Sequence, residues 1–154
     1  MSPDTLRRAL VREVPTLSSE QEVGDAVHDV VESGLPALPV VDDAGRLYGV
    51  FGERELIGAL FPGYFQELRS ARFVPHSIDE VIEQRLECRR DPVGRHANVE
   101  EIAAATDWSD AQLAETFLHH RVLIVPILDG DGRVRGVVTR SDFFKALAER
   151  LTSR

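Results

Sequence analysis

Four consecutive residues near the C-terminus, Thr139-Arg140-Ser141-Asp142, combine groups that suit an anion and a diol. They follow the apolar run Gly136-Val137-Val138 and precede Phe143, Phe144, Leu147, Ala148 and Leu151 at helical spacing, so a strand ends and a helix begins at this point. A helix start presents backbone N–H groups that have no partner within the helix, together with the positive end of its dipole, and both favour phosphate. The Thr139 hydroxyl can donate to a phosphate oxygen, and Arg140 adds positive charge beside it. Asp142, one turn further on, is an acceptor-only carboxylate suited to two vicinal hydroxyls such as those of ribose. The tetrapeptide also reads as a capping box that does no more than start the helix.

Other residues offer less. His119 and His120 are adjacent on a helix and point in different directions, without Cys, Asp or His at metal-ligand spacing, so they read as helix-end histidines. Asp129-Gly130-Asp131-Gly132 lacks the later acidic ligands of a calcium loop and reads as a turn. Trp108, just before a helix cap, reads as a packing residue or a dimer contact. The single cysteine, Cys88, excludes an internal disulfide and reads as a small buried hydrophobe. Ser/His/Asp elbows, glycine-rich phosphate loops and paired catalytic carboxylates are not recognisable, which leaves no case for an enzyme.

The elements that must position Thr139 and Asp142 occur twice. Val122 to Leu128 and Val134 to Val138 are short β-branched runs around an Asp/Gly turn, the pattern of a hairpin. Leu38 to Phe51 matches Val125 to Val138 without a gap at a constant offset of 87 residues, with proline, acid, glycine and arginine recurring in step. At that offset Gly52-Glu53-Arg54-Glu55 stands where Thr139-Arg140-Ser141-Asp142 stands. Gly52 offers no hydroxyl, Glu53 reverses the charge of Arg140, and Glu55 is longer than aspartate, so the first copy keeps the helix start but loses the phosphate contact.

Each copy reads as an apolar lead-in, a helix, two strands and a second helix. In the first, Ser19-Glu20-Gln21-Glu22 has capping-box form, Val23, Ala26, Val27, Val30 and Val31 mark a buried stripe, and Gly34 and Pro36 stop the helix. After the hairpin, Glu53 to Leu60 forms a short helix with Leu56, Ile57 and Leu60 inward. In the second, Val99 to Ala105 is the lead-in, Ser109 to Gln112 is the cap, and Leu113, Ala114, Phe117 and Leu118 are the stripe. A short helix is expected within Met1 to Val14. Residues 61–90 form a structured connector, with helices over Tyr64 to Arg72 and after Ser77, where Ile78, Val81, Ile82 and Leu86 recur. The division is therefore 1–60, 61–90 and 91–154. The fold class is mixed α/β, each copy a small three-stranded sheet with two helices on one face, the two related by a pseudo-two-fold axis.

Composition sets the outer limits. The 154 residues, 43% apolar, suffice for one shared core, and no run approaches the ~20 residues of a membrane span. The formal charge of −8 argues against nucleic acid and requires any anionic ligand to find a local positive pocket. With no signal-peptide pattern, a cytosolic location is expected.

These residues resemble the cystathionine β-synthase (CBS) domain family. The segment Gly136-Val137-Val138-Thr139-Arg140-Ser141-Asp142 is similar to the family's glycine, two apolar, Thr/Ser, two variable, Asp signature, and the repeat with Pro39 and Pro126 strengthens the likeness. The resemblance implies a disc-shaped pair that binds an adenosine-type ligand such as AMP, ADP, ATP or S-adenosylmethionine between its copies. It also implies a regulatory module acting on an effector protein, without a resident cofactor and as a homodimer. The expected site comprises Thr139, Arg140 and Asp142, an apolar lining of Val122, Leu123, Ile124, Ala105 and Thr106, and Arg121 either as a second phosphate contact or as a solvated surface arginine. The alternative is a constitutive dimerisation or partner-docking protein whose nucleotide cleft has decayed.

Overall fold

The computed structural model describes residues 10–61, 77–100 and 102–153. Of the helix expected within Met1 to Val14, positions 1–9 fall outside these residues, and the helix expected over Tyr64 to Arg72 falls wholly outside them. The first copy holds β1 (Leu17–Ser18), α1 (Val23–Ser33), β2 (Ala37–Val41), β3 (Leu47–Gly52) and α2 (Glu53–Leu60). After α3 (Ile78–Arg85), a 3₁₀ turn and α4 (Val93–His96), the second copy holds β4 (Ala104–Ala105), α5 (Asp110–His120), β5 (Ile124–Leu128), β6 (Val134–Thr139) and α6 (Arg140–Thr152). No described helix is long and apolar enough to cross a membrane.

Each copy builds a three-stranded sheet, in the orders β1-β2-β3 and β4-β5-β6. Leu17 pairs with Val40 in parallel and Pro39 opposes Val50 antiparallel; Ala104 with Ile127 and Pro126 with Val137 repeat both pairs 87 residues on. A proline in a central strand normally costs a ladder bond. Here β1 spans two residues and reaches only Val40 and Val41, so Pro39 has no neighbour on that side and its missing N–H costs nothing.

The lead-ins are exchanged between the copies. Arg12, ahead of β1, gives its N–H to the Val137 carbonyl at 2.8 Å and accepts the Val137 N–H at 2.9 Å, both on β6 of the other copy. Asn98, ahead of β4, makes the equivalent pair with Val50 on β3, at 2.8 and 2.9 Å. Two glycines permit this. A Cβ on Gly136 would stand 2.4 Å from the Arg12 oxygen, and one on Gly49 would stand 2.5 Å from the Asn98 oxygen. The pseudo-axis passes between Arg46 and Arg133, which bridge to each other in the two hairpin turns.

Three apolar clusters follow: one within each copy, and a third in which Ala37, Ile124 and Val137 join the sheets. Leu17, Leu38 and Phe51 are fully buried in the first, Leu113, Val125 and Val138 in the second. The helical stripes are narrower than the sequence suggests. Val23, Ala26 and Val30 of α1 are buried but Val31 is exposed, and Leu113 and Phe117 of α5 are buried but Leu118 is exposed. Ile57 of α2 and Ile78, Ile82 and Leu86 of the connector also face out. A sheet of three short strands covers only a thin strip of a helix laid on it, so residues flanking the strip remain in solvent.

The caps divide between expectation and correction. Ser109 and Gln112 make a complete capping box at α5, and the Ser77 hydroxyl accepts the Glu80 N–H at 3.2 Å. Ser19 does not cap α1. That helix starts at Val23, whose N–H is satisfied by the Asp91 carbonyl at 2.9 Å, a backbone partner just past the connector in place of a side chain. At the C-terminal ends Gly34 and Arg121 take the same left-handed position, at φ 71° and 50°. Glycine holds that conformation without penalty and arginine does not. Arg121→Gly is therefore expected to raise stability by about 1 kcal/mol, a melting point about 2–4 °C higher by calorimetry.

Candidate functional site

At the start of α6 the backbone turns out of β6 through Thr139, whose side chain is buried between the strand end and the helix. Its hydroxyl accepts the Asp142 N–H at 3.0 Å, so the capping role is real, and the hydroxyl hydrogen is directed to the Asp142 carboxylate. The Arg140 N–H goes to the Leu123 carbonyl at 3.0 Å, and in the first copy the Glu53 N–H goes to the Pro36 carbonyl at 3.0 Å. The helix start is thus less open than an isolated one, because the first free N–H is spent on the facing strand.

A cavity of about 430 Å³ opens at this point, lined by Pro36, Leu123, Thr139, Arg140, Ser141 and Phe144. Pro36 and Leu123 are equivalent residues 87 apart, so the cavity lies in the cleft between the copies, and Thr139 and Arg140 supply its polar wall. The volume lies within the usual range of small-molecule sites.

Asp142, one turn along the same helix, is not part of the cavity wall, and its side chain meets the exchanged lead-in. Its two carboxylate oxygens take the Arg12 guanidinium in a two-pronged contact, with Nη2 to Oδ1 at 2.7 Å. Burial opposes ionisation of Asp142, yet hydrogen bonds from Arg12 and Thr139 and the charges of Arg12 and Lys145 outweigh it and hold the carboxyl below its ordinary value. A carboxyl depressed in this way contributes stability above its unfolded pKa of about 3.9 and loses it as pH falls through the lower, folded value. The stability difference between the native chain and Asp142→Asn is expected to be constant from neutral pH to about 5 and to shrink below about 4, read by urea unfolding.

The equivalent carboxylate behaves in the opposite way. Burial pushes the Glu55 carboxyl up, against weaker opposition from backbone hydrogen bonds at Glu55 and Gly52 and the charge of Arg54. The space beside it is about 30 Å³, room for little more than a water, and is walled by Asn98 and Glu100 of the second lead-in.

The expected lining divides accordingly. Leu123 borders both spaces, whereas Val122 and Ile124 face the small Glu55 space. Ala105 and Thr106 are remote. Ala105 pairs with Leu128, at the end of β5 opposite Ile124, which pairs with Thr139. The reason is the exchange: each helix start meets the lead-in of the other copy, so its own lead-in serves the far end of its own sheet. Arg121 is exposed and lines neither space, and its carbonyl accepts from Arg54 Nη1 at 3.1 Å. Arg12 and Pro36 border the site from the other copy; the only hint in the sequence was that glycine recurs at 49 and 136, a sign of close backbone approach to an unspecified segment.

A family model described as the CBS domain matches residues 6–62 and again 92–149. The chain is 22% identical over 136 residues to the inosine-5'-monophosphate dehydrogenase of Methanocaldococcus jannaschii, covering 88% of this chain and 22% of that enzyme, so it spans under a quarter of that relative's length. Among solved structures, it is similar to the CBS domain of a CBS domain containing membrane protein from Sphaerobacter thermophilus. That match has a TM-score of 0.68 at 25% identity, over 92% of this chain and 86% of the other. It is also similar in fold to CBSX2, solved in complex with AMP, with a TM-score of 0.66 at 20% identity over 93% of this chain and 96% of the other.

Proposed function

Since the chain belongs to the CBS domain family, with two copies folded as one pair, we propose that it is a regulatory module sensing an adenosine-type nucleotide in the cleft between them. The observation that carries this reading is the 430 Å³ cavity at the start of α6, where a buried hydroxyl and Arg140 provide the local positive wall that a chain of net charge −8 needs for an anion. Phosphate takes Thr139 and Arg140. The ribose diol takes Asp142, in place of the Arg12 guanidinium. The relative solved with AMP supports the choice of ligand class. Ligand acts by binding one arrangement of the copies more tightly than another, since only differential affinity moves such an equilibrium.

A second copy of the chain is the partner favoured by surface chemistry. Val31 and Leu118, and likewise Ile57 and Phe144, are exposed apolar side chains at equivalent positions 87 residues apart. An effector protein that reads the ligand state belongs to the same proposal.

Thermal unfolding with AMP, ATP and S-adenosylmethionine tests the reading. At a hundred times the dissociation constant a ligand stabilises by about 2.7 kcal/mol, or roughly 5–10 °C. Asp142→Ala is expected to weaken binding by about tenfold to a hundredfold and to lose at least half of that shift relative to its own ligand-free midpoint. No shift with any of the three sinks the proposal. Two observations favour the alternative of a constitutive dimerisation or docking protein: Arg12 already occupies Asp142, and the Glu55 space is too small for a nucleoside. That alternative requires a dimer, measured by light scattering, that is indifferent to nucleotides and to substitution of Thr139.

A further inference from the structure

We infer that Arg12 is a latch on the ribose seat, so that opening it requires one ligand carrying both a vicinal diol, to replace the guanidinium on Asp142, and an anion, to receive the guanidinium released. The inference rests on the nucleotide reading above and adds the residue that sets its selectivity. Arg12 belongs to the first copy and Asp142 to the second. The guanidinium satisfies both carboxylate oxygens of Asp142, and these are the acceptors a diol would use. The backbone of Arg12 is pinned to Val137 by two hydrogen bonds, while its side chain is 52% exposed and Asp142 only 14%. The side chain can therefore swing without the lead-in detaching, and Asp142, enclosed by the fold, stays where it is.

The energetics select the ligand. A neutral nucleoside that takes Asp142 breaks a two-pronged charged contact and returns Arg12 to water, recovering little. A phosphorylated nucleoside breaks the same contact and gives Arg12 a new anionic partner within reach of Arg140 and Thr139, recovering most of it. The first copy lacks the device. Asn98 pairs with Val50 where Arg12 pairs with Val137, and Val99 stands 87 residues after Arg12, so no cation of that lead-in meets Glu55. The opposite titration of Glu55 and Asp142 agrees with this difference.

Isothermal titration of AMP and adenosine into the full chain, Arg12→Ala and Arg12→Lys provides the test. The native chain is expected to prefer AMP by on the order of tenfold to a hundredfold, the scale of one or two charged hydrogen bonds. Arg12→Ala should bind adenosine more tightly than the native chain does, and its preference for AMP should fall by about fivefold or more; Arg12→Lys, which keeps the charge but not the fork, should lie between. Unfolding curves establish that both variants fold, as the retained backbone pair predicts. An unchanged preference in Arg12→Ala, with both ligands binding, overturns the latch and leaves the nucleotide reading standing. Binding of neither ligand to any of the three proteins overturns the nucleotide reading, and the latch with it.

Discussion

Replacing Gly136 by valine is expected to destabilise the protein by about 3–5 kcal/mol, the cost of overpacking plus two broken backbone hydrogen bonds, and to lower the melting point by roughly 10 °C or more. The added Cβ would lie 2.4 Å from the Arg12 oxygen, 2.9 Å from Val11 Cγ1 and 3.0 Å from the Arg12 carbonyl carbon. Two of those are backbone atoms, so no side-chain rotation relieves the clash. The lead-in must leave β6, which also takes Arg12 away from Asp142. Gly49→Val should act similarly through the Asn98 oxygen at 2.5 Å. Gly130→Ala is the control: nothing lies within 4 Å of its Cβ position and its φ is not positive, so its change is expected within about 0.5 kcal/mol. Calorimetry of the three variants decides the matter, and a Gly136→Val chain that melts with the native one would mean that the lead-in does not pair with β6.

The second large effect separates two neighbours. Phe143→Ala is expected to cost about 3–5 kcal/mol, while Phe144→Ala should stay within about 0.5 kcal/mol for the isolated chain. Phe143 is 6% exposed and stacks on Phe117 at a centroid distance of 5.5 Å, tying α6 to α5 across the second copy's core. Phe144 is 70% exposed and borders the cleft. Urea unfolding at low protein concentration measures both. Equal losses would mean that α6 is rotated about its axis, with Phe143 and Phe144 equally covered. If Phe144→Ala destabilises only at high concentration, the second copy proposed above is the cause.

These cases mark what was legible in the residues. Repetition at an offset of 87 residues, the Asp-turn hairpins around Asp42 and Asp129, the strand-to-helix junction at Thr139 and the box at Ser109 follow from local chemistry, and all appear where the spacing placed them. The phase of each helix was legible only in part. Phe143 and Phe144 are the same residue type one position apart, and which one is covered depends on where the sheet lies.

The amino-acid order alone determined that the chain is a duplicated unit with a polar helix start in its second copy and a damaged one in its first. Local propensity, turn chemistry and hydrophobic period are properties of neighbouring residues. Tertiary structure alone decided that each lead-in crosses to the other copy, which brings Arg12 to Asp142, puts Pro36 in the cleft wall and leaves Ala105 and Thr106 outside it. The contacts that make this exchange are backbone hydrogen bonds over a glycine. Such bonds are the same for any residue type, so nothing in the side chains announces which strand a lead-in will join.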